Sequence, residues 1–155
     1  MQFSAKEDIE APIDFVFQQI ADFNAHERSA LRRGAEVQRL DNLSAPGPGM
    51  AWDSAFDLRG RRRELQIELT TYDPPNGLVV SSRSPNMGGQ MEIDLVALSR
   101  GRSRMSVQID MAPKTLSARL LVQSLKLARK SLSKRFRARV AAYAEDIEDR
   151  FKAKA

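Results

Sequence analysis

Leu121, Leu125, Ala128, Leu132, Phe136, Val140, Tyr143, Ile147 and Phe151 recur at steps of three and four. Such spacing puts all of them on one side of a helix. Read from Thr115 onward, the pattern predicts one unbroken helix with a stripe about 45 Å long. A stripe of that length must be covered by an apolar surface of similar extent. The back of the same helix is basic. Seven Lys or Arg lie between Lys126 and Arg139, with no acid among them. Lys126, Lys130, Lys134 and Arg137 fall opposite the stripe. Arg129, Arg135 and Arg139 fall on its flanks, where their stems cover apolar surface.

The required surface is written upstream as alternation. In "MAWDSAFDL", Met50, Trp52, Ser54, Phe56 and Leu58 share one parity and Asp53 and Asp57 the other. In "RELQIELTT", Leu65, Ile67 and Leu69 alternate with Glu64, Gln66 and Glu68. A two-residue turn at Gly60-Arg61 pairs Phe56 with Leu65, Ser54 with Ile67 and Trp52 with Leu69. "QMEIDLVAL" and "RMSVQIDMA" pair in the same way around a three-residue turn at Arg100-Gly101-Arg102. Met91 then faces Met111, Ile93 faces Ile109, Leu95 faces Val107 and Ala97 faces Met105. A register error of one residue would mix the two faces, so the hairpins are specified. "GLVVSSRS" is a further strand whose parity leaves the side of Arg83 open. "AEVQRL" is a short strand, and "SAPGPG" is a loop, because its prolines and glycines cannot sit in a ladder.

The N-terminal part reads as a strand and two short helices. Phe3, Ala5 and Ile9 share a parity that Glu7 breaks, which predicts a bulge or an edge position. Pro12 suits a first helical turn, and Ile13, Val16, Phe17 and Ile20 form one apolar face. A second helix ends near Arg33, with Gly34 as its stop. The order is strand, two helices, six strands, one long helix. Short connections make the strands antiparallel, and alternation makes one face wet. The class is α+β.

Composition narrows the chemistry. The 155 residues amount to one domain, taken as 1–155, and 42% are hydrophobic. No run is apolar enough to span a bilayer, and "MQFSAKEDIEAP" carries no basic-then-apolar leader. Cysteine is absent and histidine occurs once, at His26. That removes disulfides, thiolate catalysis and thiolate metal sites, and it fits a cytoplasmic setting. No phosphate loop, metal-ligand spacing or catalytic triad occurs, so no cofactor is expected. His26 reads as an exposed helical histidine. Asp53 and Asp57 read as wet-face residues, paired across strands in a group with Glu64, Glu68, Arg59 and Arg61. Tyr72 falls on the outer parity and Tyr143 on the core stripe.

A net charge of +5 admits anionic partners. Nucleic acid is not expected, because the aromatics sit on apolar parities and are not interleaved with the cations. A solvated helix back is the preferred reading of the basic run. A weak contact with an anionic membrane surface stands as the alternative.

The stretch "FSAKEDIEAPIDFVFQQIADF" resembles the opening of START-like (SRPBCC) proteins: a strand, Ala-Pro, a helix with Val-Phe and a closing Asp-Phe. The "GPG" turn entering a tryptophan strand and the long terminal helix agree with that, so the resemblance spans essentially the whole chain. The frequent Trp-then-Pro pattern after the first helix is missing from "NAHERSALRRG". The resemblance implies the helix-grip fold, a curved antiparallel sheet of about seven strands wrapped on the C-terminal helix around a cavity. It also implies a partner, a hydrophobic or amphipathic small molecule such as a lipid, an isoprenoid or a polyketide-like ring system. Trp52, Ser54, Phe56, Leu65, Ile67, Leu69, Met91, Ile93, Met105, Val107, Ile109, Leu121, Leu125 and Leu132 would then line the interior, with Arg63 at its mouth. A cyclase or dehydratase is the enzymatic alternative. The shortage of histidine, cysteine and interior acids favours binding, and no catalytic residue is assigned.

Overall fold

The structure, a computed structural model, describes residues 1–58 and 60–154. Arg59, expected in the cross-strand ion pairs, lies outside the described residues, and so does the Leu58 side chain. Seven strands run β1 (Gln2–Ile9), β2 (Glu36–Arg39), β3 (Ala51–Leu58), β4 (Arg61–Asp73), β5 (Gly77–Arg83), β6 (Met87–Ser99) and β7 (Arg102–Pro113). They form one antiparallel sheet in the order β1-β7-β6-β5-β4-β3-β2. Helices α1 (Ile13–Ile20) and α2 (Phe23–Arg32) follow β1, and α3 (Leu116–Leu127) and α4 (Arg129–Lys154) follow β7. The α+β class holds, and so does the expected order of elements as far as β7.

Both hairpins keep the expected faces but sit two residues away from the expected pairing. Trp52 pairs with Ile67, Ser54 with Leu65 and Phe56 with Arg63. Leu58 pairs with Arg61, and Gly60 takes a φ of +74°, which glycine adopts without strain. Likewise Met91 pairs with Ile109, Ile93 with Val107 and Leu95 with Met105, and the irregularity is absorbed between Ala97 and Ser99. Because side chains alternate with period two, a slip of two leaves every residue on its face. Turn length therefore decided the register, and parity could not.

One further expectation is met and two are corrected. β1 takes the edge position that the polar Glu7 allowed for, and it has no bulge, since its pairing with β7 is unbroken from Gln2 to Ile9. Tyr72 points inward. A bulge in β4 between Leu69 and Thr71 shifts the parity and stacks its ring 5.5 Å from Phe17. The wet-face ion pairs run through Arg62, which reaches Glu36 at 2.7 Å and Glu64 at 3.3 Å.

The terminal helix is two helices. Thr115 caps α3 by accepting from the Ala118 N–H at 3.2 Å. α3 ends at Ala128, whose N–H bonds Leu125 one residue short of the helical span. The buried positions of α3 are Ala118 and Val122, and those of α4 are Val140, Ala144 and Ile147. On a continuous helix Arg129 would fall in the middle of that buried line. A charged guanidinium there would have no partner, and the break leaves Arg129 in water.

Candidate functional site: a cavity between sheet and terminal helix

The concave face of the sheet and α4 do not meet everywhere. Between them lies a cavity of about 520 Å³, opening to the exterior. Its floor comes from inward residues of six strands: Val37, Trp52 and Ser54, Ile67, Leu78 and Val80, Met91 and Ile93, Val107 and Ile109. Its roof is Phe136, Arg139, Val140 and Tyr143 of α4. One wall is Ile20 of α1 with Phe23, His26, Glu27 and Ala30 of α2.

Of the residues expected inside, Trp52, Ser54, Ile67, Met91, Ile93, Val107 and Ile109 surround this space. Leu69 and Met105 are fully buried in the core and do not reach it. Phe56 lines a separate depression beside the end of α2, and Leu65 faces a polar one with Glu36, Arg62 and Arg83. Leu121 is exposed, and Leu125 and Leu132 are half-buried away from the cavity. In α3 the buried positions are Ala118 and Val122 instead. Arg63 is not at the mouth. It stands opposite Phe56, partly buried, with its Nε lacking a partner among the described residues. Arg83 faces outward and donates from Nε to Gln66 at 2.8 Å.

The α2 wall was not expected. Phe23, His26, Glu27 and Ala30 stand at i, i+3, i+4 and i+7, the spacing of one helix face, so the signal was present. It was hidden because α2 has no fully buried residue and reads as polar. α2 is held down by its side chains. Trp52 Nε1 donates to Glu27 Oε1 at 2.6 Å, and the Phe23 ring lies 5.6 Å from the Trp52 ring. Arg39 covers the Trp52 ring at 5.6 Å and is itself held by Asp41 through two hydrogen bonds. Asp41 also accepts from the N–H groups of Leu43 and Ala51, which ties the loop to β3. These bonds, led by the one from Arg39, hold the Asp41 carboxyl well below the usual carboxylate range.

Polar groups lining the cavity are few, and among them His26 and Glu27 already have partners. His26 Nε2 donates to the Ile20 carbonyl at 2.8 Å, so this nitrogen carries a hydrogen. The rings of His26 and Tyr143 are 6.5 Å apart. Among the described residues no group hydrogen-bonds the Tyr143 hydroxyl. Burial pushes that phenol up to about 12. It is therefore a neutral O–H on a greasy wall, able to donate to one acceptor on a bound molecule. Among the described residues no group of three or more His, Asp or Glu is arranged to hold a metal ion.

No family model and no curated protein matches the chain. Solved structures do. The Zhui aromatase/cyclase from Streptomyces sp. R1128 superposes with a TM-score of 0.64 at 15% identity, covering 94% of this chain and 93% of that one. The chain has the START-like helix-grip fold. Truncated norcoclaurine synthase from Thalictrum flavum agrees at a TM-score of 0.63 and 12% identity, over 81% of this chain and 82% of that one. A START superfamily protein from Mycobacterium smegmatis agrees at 0.54 and 14%, over 86% and 95%. At these identities the START-like likeness concerns the fold, and function has to be argued from the cavity.

Proposed function

We propose that the protein binds a hydrophobic or amphipathic small molecule, a lipid, isoprenoid or polyketide-like compound, between the sheet and α4. The observation that carries this reading is an open cavity of about 520 Å³ with a nearly all-apolar wall. That volume lies in the range of small-molecule sites, roughly 300–1,000 Å³. Trp52, Ser54, Ile67, Met91, Ile93, Val107 and Ile109 supply the floor contacts, and Met91 can repack around different shapes. Tyr143 supplies one hydrogen bond to an acceptor on the ligand. Native mass spectrometry of freshly purified protein is expected to show a carried hydrophobic molecule, or uptake of an added one. An Ile109→Trp variant, which fills the floor, is expected to lose it. A clean mass with no uptake of hydrophobic probes would remove this reading.

A second reading is favoured by one observation: Tyr143 of the roof and His26 of the wall meet, with their rings 6.5 Å apart. They would polarise a ketone and accept a proton, as a cyclase or dehydratase requires. The aromatase/cyclase among the neighbours supports it. The expected result is turnover of a poly-β-keto thioester analogue that both Tyr143→Phe and His26→Gln slow. Tight binding without turnover would leave the binding reading alone.

A further inference from the structure

α3 has two apolar faces, and the sheet covers one of them. Ala118 and Val122 are buried on the side that meets β7. On the opposite side Leu116, Leu120 and Leu127 fall within about 40° of one another around the helix axis. They are 74%, 59% and 93% exposed. A helix that only covered a sheet would carry polar side chains there.

The charge around that face has one sign. Residues 114–144 contain nine Lys and Arg and no Asp or Glu. The rest of the chain then holds sixteen cations against twenty acids, a net of −4. At the α3–α4 junction the exposed Leu127 shares a groove with Lys126, Arg129, Lys130, Lys134 and Arg137. Among the described residues none of these five cations is in a salt bridge.

We propose that this surface docks on an anionic phospholipid membrane. The leucines enter the boundary between headgroups and acyl chains, and the groove receives lipid phosphates. No helix among the described residues is long and apolar enough to cross a bilayer, so the contact is interfacial. A second copy of the chain fits less well, because two such patches would repel. Nucleic acid fits less well, because three leucines contribute nothing along a phosphate backbone and no aromatic lines the groove.

The test is flotation with vesicles of equal parts phosphatidylglycerol and phosphatidylcholine, beside vesicles of phosphatidylcholine alone. Binding is expected to the first and not the second, and to weaken at high salt. Lys130→Glu/Lys134→Glu and Leu120→Gln/Leu127→Gln are each expected to lower partitioning by at least about tenfold. All four side chains are exposed, and circular dichroism and probe uptake should be unchanged. No binding by the wild type, equal binding to both vesicles, or full binding by both variants overturns the proposal. So does a dimer in sedimentation velocity that Leu120→Gln/Leu127→Gln dissolves, or tighter binding to an RNA oligonucleotide than to the anionic vesicles.

Discussion

Tyr143 carries the most specific chemistry in the cavity. Its folded pKa is raised by burial, so the folded state holds the phenolic proton longer than the unfolded chain does. Stability is therefore lost as pH rises from about 10, where the unfolded phenol ionises, toward about 12. The chain has two tyrosines, so a Tyr72→Phe variant isolates Tyr143, and its ultraviolet tyrosinate titration is expected near 12. Asp41 shows the opposite sign. Its depressed carboxyl contributes stability throughout the range above the ordinary pKa near 3.8 and loses it only in stronger acid. Asp41→Asn is expected to remove that acid-sensitive component from a denaturation series run against pH.

At the scale of elements, α2 is the helix with no fully buried residue among the described residues. Side chains fasten it: the Glu27–Trp52 hydrogen bond, the Phe23 contact with Trp52 and the His26 hydrogen bond to the Ile20 carbonyl. A hydrogen bond to a charged group contributes about 1.5–3 kcal/mol. Glu27→Ala is expected to raise amide exchange in α2 by roughly tenfold or more, while β6 and β7 stay protected. A loss of protection spread evenly over the sheet would show that the bond supports the whole fold and not the wall. The helices also mark the limit of what sequence could say. The apolar stripe announced a roofing helix, and α4 is that helix. The same stripe ran on through Leu121 and Leu125, because spacing alone does not tell the buried side of an amphipathic helix from an exposed apolar one. Arg129 was the clue, a charge in line with Ala118, Val122 and Val140 that a continuous buried face could not contain.

For the molecule as a whole, parity was the legible quantity and exact position was not. The strands, their inward face and seven of the ten floor residues follow from alternation, which survives a slip of two. The cavity's wall does not, because it is made by a helix whose inward face carries His26 and Glu27 and so reads as surface. Occupancy of the cavity should be visible in global stability. A ligand at a hundred times its dissociation constant adds about 2.7 kcal/mol. For a chain of this size that is a rise in melting temperature of about 5–11 °C. An apolar compound that raises it by nothing at saturating concentration does not occupy the site.

An apolar cavity of this size also has a mechanical consequence for the ligand-free protein. Unfolding abolishes the void, so the unfolded chain with its solvent takes up less room than the folded protein with its hollow. Hydrostatic compression should therefore unfold the empty form well before the loaded one. Trp52, the sole tryptophan and part of the cavity floor, would report the difference in its emission.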